Sequence, residues 1–207
     1  MAQELLKNIQ ENTEDFKKMD AMEQNEQPYL KTSVWTLAKN RIVWLLILMI
    51  SATVTGTIIQ GFEDVLQSVV ILASFIPMLM DTGGNSGSQS STLIIRGLAL
   101  GEITTKDIFK VIFKEFKVSI IVASILSVVN FLRLYFLTSA GFMVSLTVCA
   151  SLFFTVVLAK VVGGILPIIS KKLNLDPAIM ASPLITTIVD AFALIVYFAF
   201  AKLLLGI

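Results

Sequence analysis

The sequence predicts an all-α membrane protein with five transmembrane helices, from its composition and the spacing of its charges. Of the 207 residues, 56% are apolar and 15% are charged, whereas a soluble domain is usually about 45–50% apolar and about 25% charged. Residues 42–62, 65–80 and 134–159 contain no charged side chain. Uncharged apolar runs that approach about 20 residues are typical of helices that cross a bilayer.

The chain divides into a polar beginning and an apolar remainder. Residues 1–30 hold seven acids and three lysines, so residues 1–40 are predicted to form an acidic cytoplasmic tail that ends in a short helix. Residues 41–207 are predicted to form the five-helix transmembrane domain. Its spans are expected at about 41–59, from 65 into a polar stretch at 81, and at 118–137, 142–169 and 176–205.

A charged segment, residues 96–117, separates the second and third spans. Its apolar residues recur at helical spacing, which predicts a separate amphipathic helix along the membrane interface. Most basic residues lie in the tail, in this segment and at 171–172. The positive-inside rule therefore places the N-terminus in the cytoplasm and the C-terminus outside. The apolar residues that recur at this spacing are Ile108, Phe109, Ile112, Phe113 and Phe116.

The residue inventory limits the chemistry that this chain can perform. It has no histidine and one cysteine, Cys149, which lies in an apolar run and is interpreted as helix packing. A soft-metal site, a thiol–imidazole pair and a disulfide framework are therefore excluded. Oxygen ligands remain, and these favour hard cations such as Mg²⁺, Ca²⁺ or Mn²⁺. The net charge of +1 says nothing useful about partners; we expect no nucleic-acid partner.

Two of the fifteen acids, Asp81 and Asp190, are predicted to lie within membrane spans. A carboxylate there costs at least about 2.5–3.5 kcal/mol and marks function by default. Ser182, Thr186 and Asp190 recur every four residues and so share one face of the fifth helix, with Thr187 beside them.

Pro183 interrupts the backbone hydrogen bonds of the same helix, because it has no N–H to donate to the carbonyl of Ile179. Hydroxyls, a freed carbonyl and a deep carboxylate favour a hydrated cation path. A polar seam between helices is the alternative.

The stretch PMLMDTGGNSGSQSSTLIIRG, residues 77–97, is polar where an apolar helix is expected. Its glycines Gly83, Gly84 and Gly87 predict either a helix break, of the kind that forms ion sites, or close helix contact. Plain small-residue packing and an external loop are alternatives. Polar side chains recur along one side of the stretch, which favours a cavity wall. They are Asn85, Gln89, Thr92 and Arg96.

The triplet Asp81-Thr82-Gly83 matches the signature of aspartic proteases. That signature requires a β-rich fold, which the sequence does not predict. Its mechanism also requires two carboxylates within about 3 Å that share a proton, whereas the helices of Asp81 and Asp190 start from opposite sides of the predicted membrane. We expect no enzymatic activity and interpret Asp81 as a charge near a pore entrance.

The run FIPMLMDTGGNSGSQSSTLIIRGLALGEI, with DPAIMASPLITTIVDAF downstream, resembles the transmembrane domain of the MgtE family of magnesium channels over about residues 35–205. The resemblance implies a multi-pass Mg²⁺ channel of the bacterial plasma membrane. It implies a homodimer whose pore lies on the two-fold axis and is lined by the second and fifth helices. The metal-site residues that it implies are Asp190, the backbone carbonyl of Thr186, and Asp176 near the cytoplasmic mouth; the expected pore lining is Ser182, Pro183, Thr187, Gly83, Gly84, Asn85, Gln89 and Asp81.

The chain departs from the family pattern in two places. A relative has asparagine where Ser182 stands before the proline. Typical members also carry a large cytoplasmic region with a helical domain and paired CBS modules that sense Mg²⁺, whereas about forty residues precede the first span here. We therefore expect either a natural short form or an engineered fragment, and in both cases the Mg²⁺-dependent closing is expected to be missing or altered.

Two other functions fit the same residues. A secondary transporter that exchanges or co-transports Mg²⁺ with Na⁺ or H⁺ is the main alternative, because discontinuous helices suit alternating access equally well. A membrane adaptor without transport is the other. Selectivity among Mg²⁺, Mn²⁺, Co²⁺ and Ca²⁺ stays open at this point.

Overall fold

The computed structural model describes residues 29–174 and 177–207, apart from the side chains at positions 29, 40, 43, 44 and 178–183. Within these residues the chain is helical and has no β-strand, which confirms the all-α class. The α-helices are α1 (Val34–Gly61), α2 (Glu63–Ser68), α3 (Ile76–Ala99), α4 (Ile108–Leu137), α5 (Gly141–Lys172) and α6 (Pro177–Leu205), with 3₁₀ turns at Tyr29–Lys31, Val70–Phe75 and Thr105–Asp107.

Three helical stretches in the described part of the chain are long and apolar enough to cross a membrane. They are Thr105–Leu137, Gly141–Lys172 and Leu184–Leu205, and Leu45–Gly61 is a shorter apolar stretch. These stretches make the chain a membrane protein.

Helices α1 and α6 run side by side in the same direction. Ser51 Oγ on α1 donates a hydrogen bond to Thr187 Oγ1 on α6 at 2.9 Å. Eleven residues further along each helix, Phe62 stacks on Phe198 with the ring centroids 4.6 Å apart. Because both pairs advance together along the two helices, the two axes are parallel.

Helix α5 packs against α3, α4 and α6. It runs parallel to α3, since Gly83 faces Thr155 and Gly87 faces Ala159. It runs antiparallel to α4 and α6. The five long helices therefore alternate in direction along the chain, and the start of α1 and the end of α6 lie at opposite ends of the bundle.

Glycines hold the middle of the bundle together by close backbone contact. A Cβ atom added at Gly163 on α5 would clash with the carbonyl oxygen of Gly87 on α3, and one added at Gly87 would lie 2.6 Å from Ile185 Cγ2. Helix α3 is continuous from Ile76 to Ala99, so of the two roles predicted for its glycines, the structure has the close contact and not the break.

The interruption lies before the polar stretch rather than within it. The second span was expected to begin near 65, but residues 63–75 form the short helix α2 and a 3₁₀ turn. Pro77 stands in the first turn of α3, where its missing N–H costs no helical hydrogen bond. The buried Tyr197 hydroxyl donates to the carbonyl of Leu72 at 2.9 Å, which satisfies a backbone acceptor that the irregular turn leaves free.

The prediction of a separate amphipathic helix over 96–117 is wrong. Residues 96–99 complete α3, and a short connection follows in which Thr104 and Asp107 form a capping box. Helix α4 then runs from Ile108 to Leu137 without interruption, because nothing after Ile108 breaks the helix. The predicted amphipathic residues are therefore the first turns of a long apolar helix.

Candidate functional site

One exposed face of α3 is polar along most of its length. Asp81, Asn85, Gln89, Thr92 and Arg96 are all exposed, and their spacing of three or four residues places them on one side of the helix. We call this set the α3 polar stripe. The one-sided pattern predicted from the sequence is therefore confirmed for the isolated chain.

The opposite face of α3 is buried against α5 and α6. A Cβ atom at Gly83 would lie 2.8 Å from both Thr155 Cγ2 and Val189 Cγ1, and one at Gly84 would lie 3.3 Å from Thr186 Cγ2. The two glycines thus bring the backbone of α3 directly against the segment of α6 that carries Asp190.

Asp190 is half-buried on α6. Within the described residues, no hydrogen bond or ion pair reaches its carboxylate. Leaving a charged group partly buried and without a protein partner costs free energy. A carboxylate in this position is available to a ligand or to water.

Asp81 and Asp190 lie at about the same height along the bundle. Gly83 on α3 meets Val189 on α6, and the two helices run in opposite directions. Asp81 is two residues before Gly83 and Asp190 is one residue after Val189, so both are displaced toward the same end. At 1.5 Å per residue, their heights differ by about 1.5 Å. The helix register therefore places at one level of the bundle two acids that are 109 positions apart in sequence.

Thr186 and Thr187 on α6 make different contacts. Thr186 packs its methyl group against Gly84, whereas Thr187 accepts the hydrogen bond from Ser51 on α1. No group of three or more acidic, cysteine or histidine side chains is gathered as a metal cage among the described residues.

Comparison with known proteins gives the family. A family model described as "MgtE: Divalent cation transporter" matches residues 76–200, a range that contains α3, α4 and α5 and most of α6. The chain belongs to the MgtE family.

Three curated MgtE proteins illustrate the similarity. The magnesium transporter MgtE of Bacillus subtilis is 37% identical over 193 residues, which cover 93% of this chain and 42% of that protein. The Thermus thermophilus protein of the same name is 38% identical over 196 residues, with 94% and 43% covered. The Enterococcus faecalis one is 25% identical over 169 residues, with 80% and 36% covered. The chain thus spans less than half the length of these relatives.

Some residues that the MgtE resemblance assigns to the pore cannot be placed in the same detail. Asp176 lies outside the described residues, and Ser182 and Pro183 lie on α6 with side chains outside them. The metal role of Asp176 and the pore lining by Ser182 and Pro183 stay predictions. The same holds for the roles of Asp190 and Thr186.

Sequence reasoning missed a second group of buried polar residues in this MgtE domain. Glu115 on α4 is 8% exposed and accepts a 2.6 Å hydrogen bond from Ser90 on α3, and Lys160 on α5 is 5% exposed. Glu115 was expected in an interfacial segment. The available sequence signal was the spacing of four residues that aligns Glu115 with Val111 and Ser119 on one side of the helix. In the structure all three side chains are buried.

Proposed function

We propose that this chain forms a Mg²⁺-conducting channel as a homodimer, with a pore on the two-fold axis lined by α3 and α6 of each subunit. The observation that carries the proposal is the position of Asp190. It is a half-buried carboxylate with no partner in the described part of the chain, on the segment of α6 that packs against α3 at about the height of Asp81.

The exposed polar stripe supports a shared aqueous path. Lipid hydrocarbon is a poor environment for these side chains, since a charged residue at the bilayer centre costs at least about 2.5–3.5 kcal/mol. Asp81 and Arg96 stand at either end of the stripe, with Asn85, Gln89 and Thr92 between them. A second copy facing this stripe would exclude lipid and leave a polar channel between the subunits.

The carboxylates of Asp190 and Asp81 have the chemistry to bind a hydrated Mg²⁺ ion. Mg²⁺ prefers octahedral geometry, gives up its waters reluctantly and is usually bound through one or two carboxylates. Two Asp190 side chains across a two-fold axis would hold the hydrated ion by hydrogen bonds to its waters. Asp81 at the same height would add negative potential. The backbone carbonyl of Thr186, one turn before Asp190, is an additional acceptor for the water shell, and Asp176 would attract cations at the cytoplasmic mouth.

The alternating helices support the predicted topology of five spans, with a cytoplasmic N-terminus, in a bacterial plasma membrane. The membrane potential would then drive entry, and it is worth about 2.3 kcal/mol per charge per 100 mV. A divalent ion gains twice that amount.

The test is Mg²⁺ uptake into proteoliposomes that contain a fluorescent Mg²⁺ indicator, with an imposed membrane potential. Asp190→Asn should reduce uptake at least tenfold, because it removes the charge and keeps the shape. Asp64→Asn is the matched control, since Asp64 is an exposed acid on α2 outside the proposed pore, and it should conduct like the parent. Parent-like uptake by Asp190→Asn would refute the proposal.

The same vesicles separate a channel from the alternative, a transporter that uses Na⁺ or H⁺. Channel uptake should follow the membrane potential and should not change when Na⁺ or proton gradients are imposed or collapsed. Uptake that requires either gradient would favour exchange or co-transport. Competition by Mn²⁺, Co²⁺ and Ca²⁺ measures the selectivity.

A further inference from the structure

The first three turns of α4 have an exposed surface that combines aromatic and basic side chains. Phe109, Phe113 and Phe116 are 80%, 60% and 46% exposed. Lys110, Lys114 and Lys117 form an exposed row beside them. We call these six residues the basic aromatic face.

Along the same side of α4, the exposed side chains change from lysines to aliphatic residues. Three lysines occupy its first positions and three aliphatic residues, exposed by 60% or more, occupy the next ones. On a membrane helix, such a change marks the level at which headgroups give way to hydrocarbon. The row consists of Lys110, Lys114, Lys117, Ile121, Ile125 and Val128.

The positive charges on this face are largely uncompensated. Lys110 is paired with Asp107, at 2.8 Å between Nζ and Oδ1. Lys114 and Lys117 have no acidic partner within the described residues, and Lys117 Nζ lies 4.3 Å from the ring centroid of Phe113. The acid on the same turns, Glu115, points inward to Ser90. Within the described residues, two ammonium groups without an acidic partner therefore stand next to exposed aromatic rings at headgroup level.

We propose that the basic aromatic face binds the headgroup of an anionic phospholipid. Lys114 and Lys117 contact its phosphate, and Phe113 and Phe116 pack against the start of its acyl chains. Clustered lysines next to a membrane helix attract anionic lipid by about 1 kcal/mol each, which corresponds to about a fivefold preference per lysine.

The acidic tail is the other possible occupant, because residues 1–28 hold seven acids and three lysines. Two observations favour lipid. The lysine row continues directly into aliphatic residues that face hydrocarbon, so the bilayer surface meets this face in any case. The phenylalanines also expose apolar surface, which the acyl chains of a lipid would cover and acidic side chains would not.

The experiment measures local lipid preference with a tryptophan reporter in the 207-residue chain. Phe113→Trp is introduced with Trp35 and Trp44 replaced by phenylalanine. Quenching by dibrominated phosphatidylglycerol is compared with quenching by dibrominated phosphatidylcholine in mixed vesicles. We expect a preference for phosphatidylglycerol of about tenfold or more that weakens at high salt.

Matched variants assign the preference to this face. Lys114→Gln with Lys117→Gln should reduce it to near unity. Lys202→Gln is the control, since Lys202 also lies over an aromatic ring, with its Nζ 5.2 Å from the Phe62 centroid, and it should leave the preference unchanged. Helical circular dichroism confirms that each variant is folded.

Two results would overturn the proposal. The first is equal quenching by both lipids, or a preference that survives the double lysine substitution. The second is a preference that appears only when the seven tail acids are changed to their amides, because the tail would then be the occupant of this face. The quenching measurement does not depend on ion flux. Its outcome therefore tests the lipid site independently of the proposed channel.

Discussion

Ser90 on α3 donates a 2.6 Å hydrogen bond to the carboxylate of Glu115 on α4, and both side chains are buried. The bond fixes the inner face of the helix whose outer face carries the polar stripe. A hydrogen bond to a charged group contributes about 1.5–3 kcal/mol. The rotation of α3, and hence the direction of the stripe, therefore depends on a contact on the opposite side of the helix.

Glu115 and Lys160 are predicted to be energetically coupled. Gly164, one turn after Lys160 on α5, lies so close to Glu115 that an added Cβ would be 3.0 Å from Glu115 Cγ, so the acid and the base share one interface. Lys160→Met should lower the thermal unfolding midpoint in detergent, because it removes the positive charge from the interface that holds the buried acid. The same substitution should cost at least about 1 kcal/mol less when Glu115 is already glutamine.

The four proteins of this cycle are the parent, the two single variants and the double variant. The Glu115→Gln variant keeps the hydrogen bond, because the glutamine amide oxygen still accepts from the Ser90 hydroxyl. Strictly additive costs for the two single substitutions would show that the charges do not interact, and would contradict the prediction.

Gly163→Ala is predicted to destabilise the helix bundle. Its new Cβ would clash with the carbonyl oxygen of Gly87, a backbone atom that can move only if α3 and α5 separate. Overpacking of this kind costs about 1–3 kcal/mol. Thermal unfolding monitored by size-exclusion chromatography in detergent measures the effect.

The control for Gly163→Ala is Gly56→Ala on α1, where nothing lies within 4 Å of an added Cβ. There alanine should stabilise the helix by up to about 1 kcal/mol, since it has the better helix propensity. Equal midpoints for the two variants would show that the contact between α3 and α5 is not tight.

The sequence predicted the helices well because their signals are local. Long uncharged runs fix α4, α5 and α6 to within a few residues, apart from the start of α4. That start was misplaced because Phe109, Phe113 and the neighbouring lysines give the same amphipathic pattern whether the segment lies along the membrane interface or leads straight into a spanning helix.

The candidate site was harder to predict because it depends on helix register. The spacing of Asn85 and Gln89 gave the polar stripe from the sequence alone. The shared height of Asp81 and Asp190 could not be predicted, because it follows from the contact of Gly83 with Val189. The same limit applies to Glu115, whose burial depends on where α3 places Ser90.

Gln89→Leu tests whether the α3 polar stripe lines the conducting path. Gln89 is exposed in the middle of the stripe, and an apolar side chain there would remove a hydrogen-bonding group from the path and favour its dewetting. Mg²⁺ uptake into proteoliposomes should fall at least tenfold, with no loss of thermal stability. Ile125→Ala is the control, because Ile125 is 60% exposed on α4, outside the proposed pore, and it should conduct like the parent. If Gln89→Leu conducts normally while Asp190→Asn does not, the pore is formed by α6 without α3.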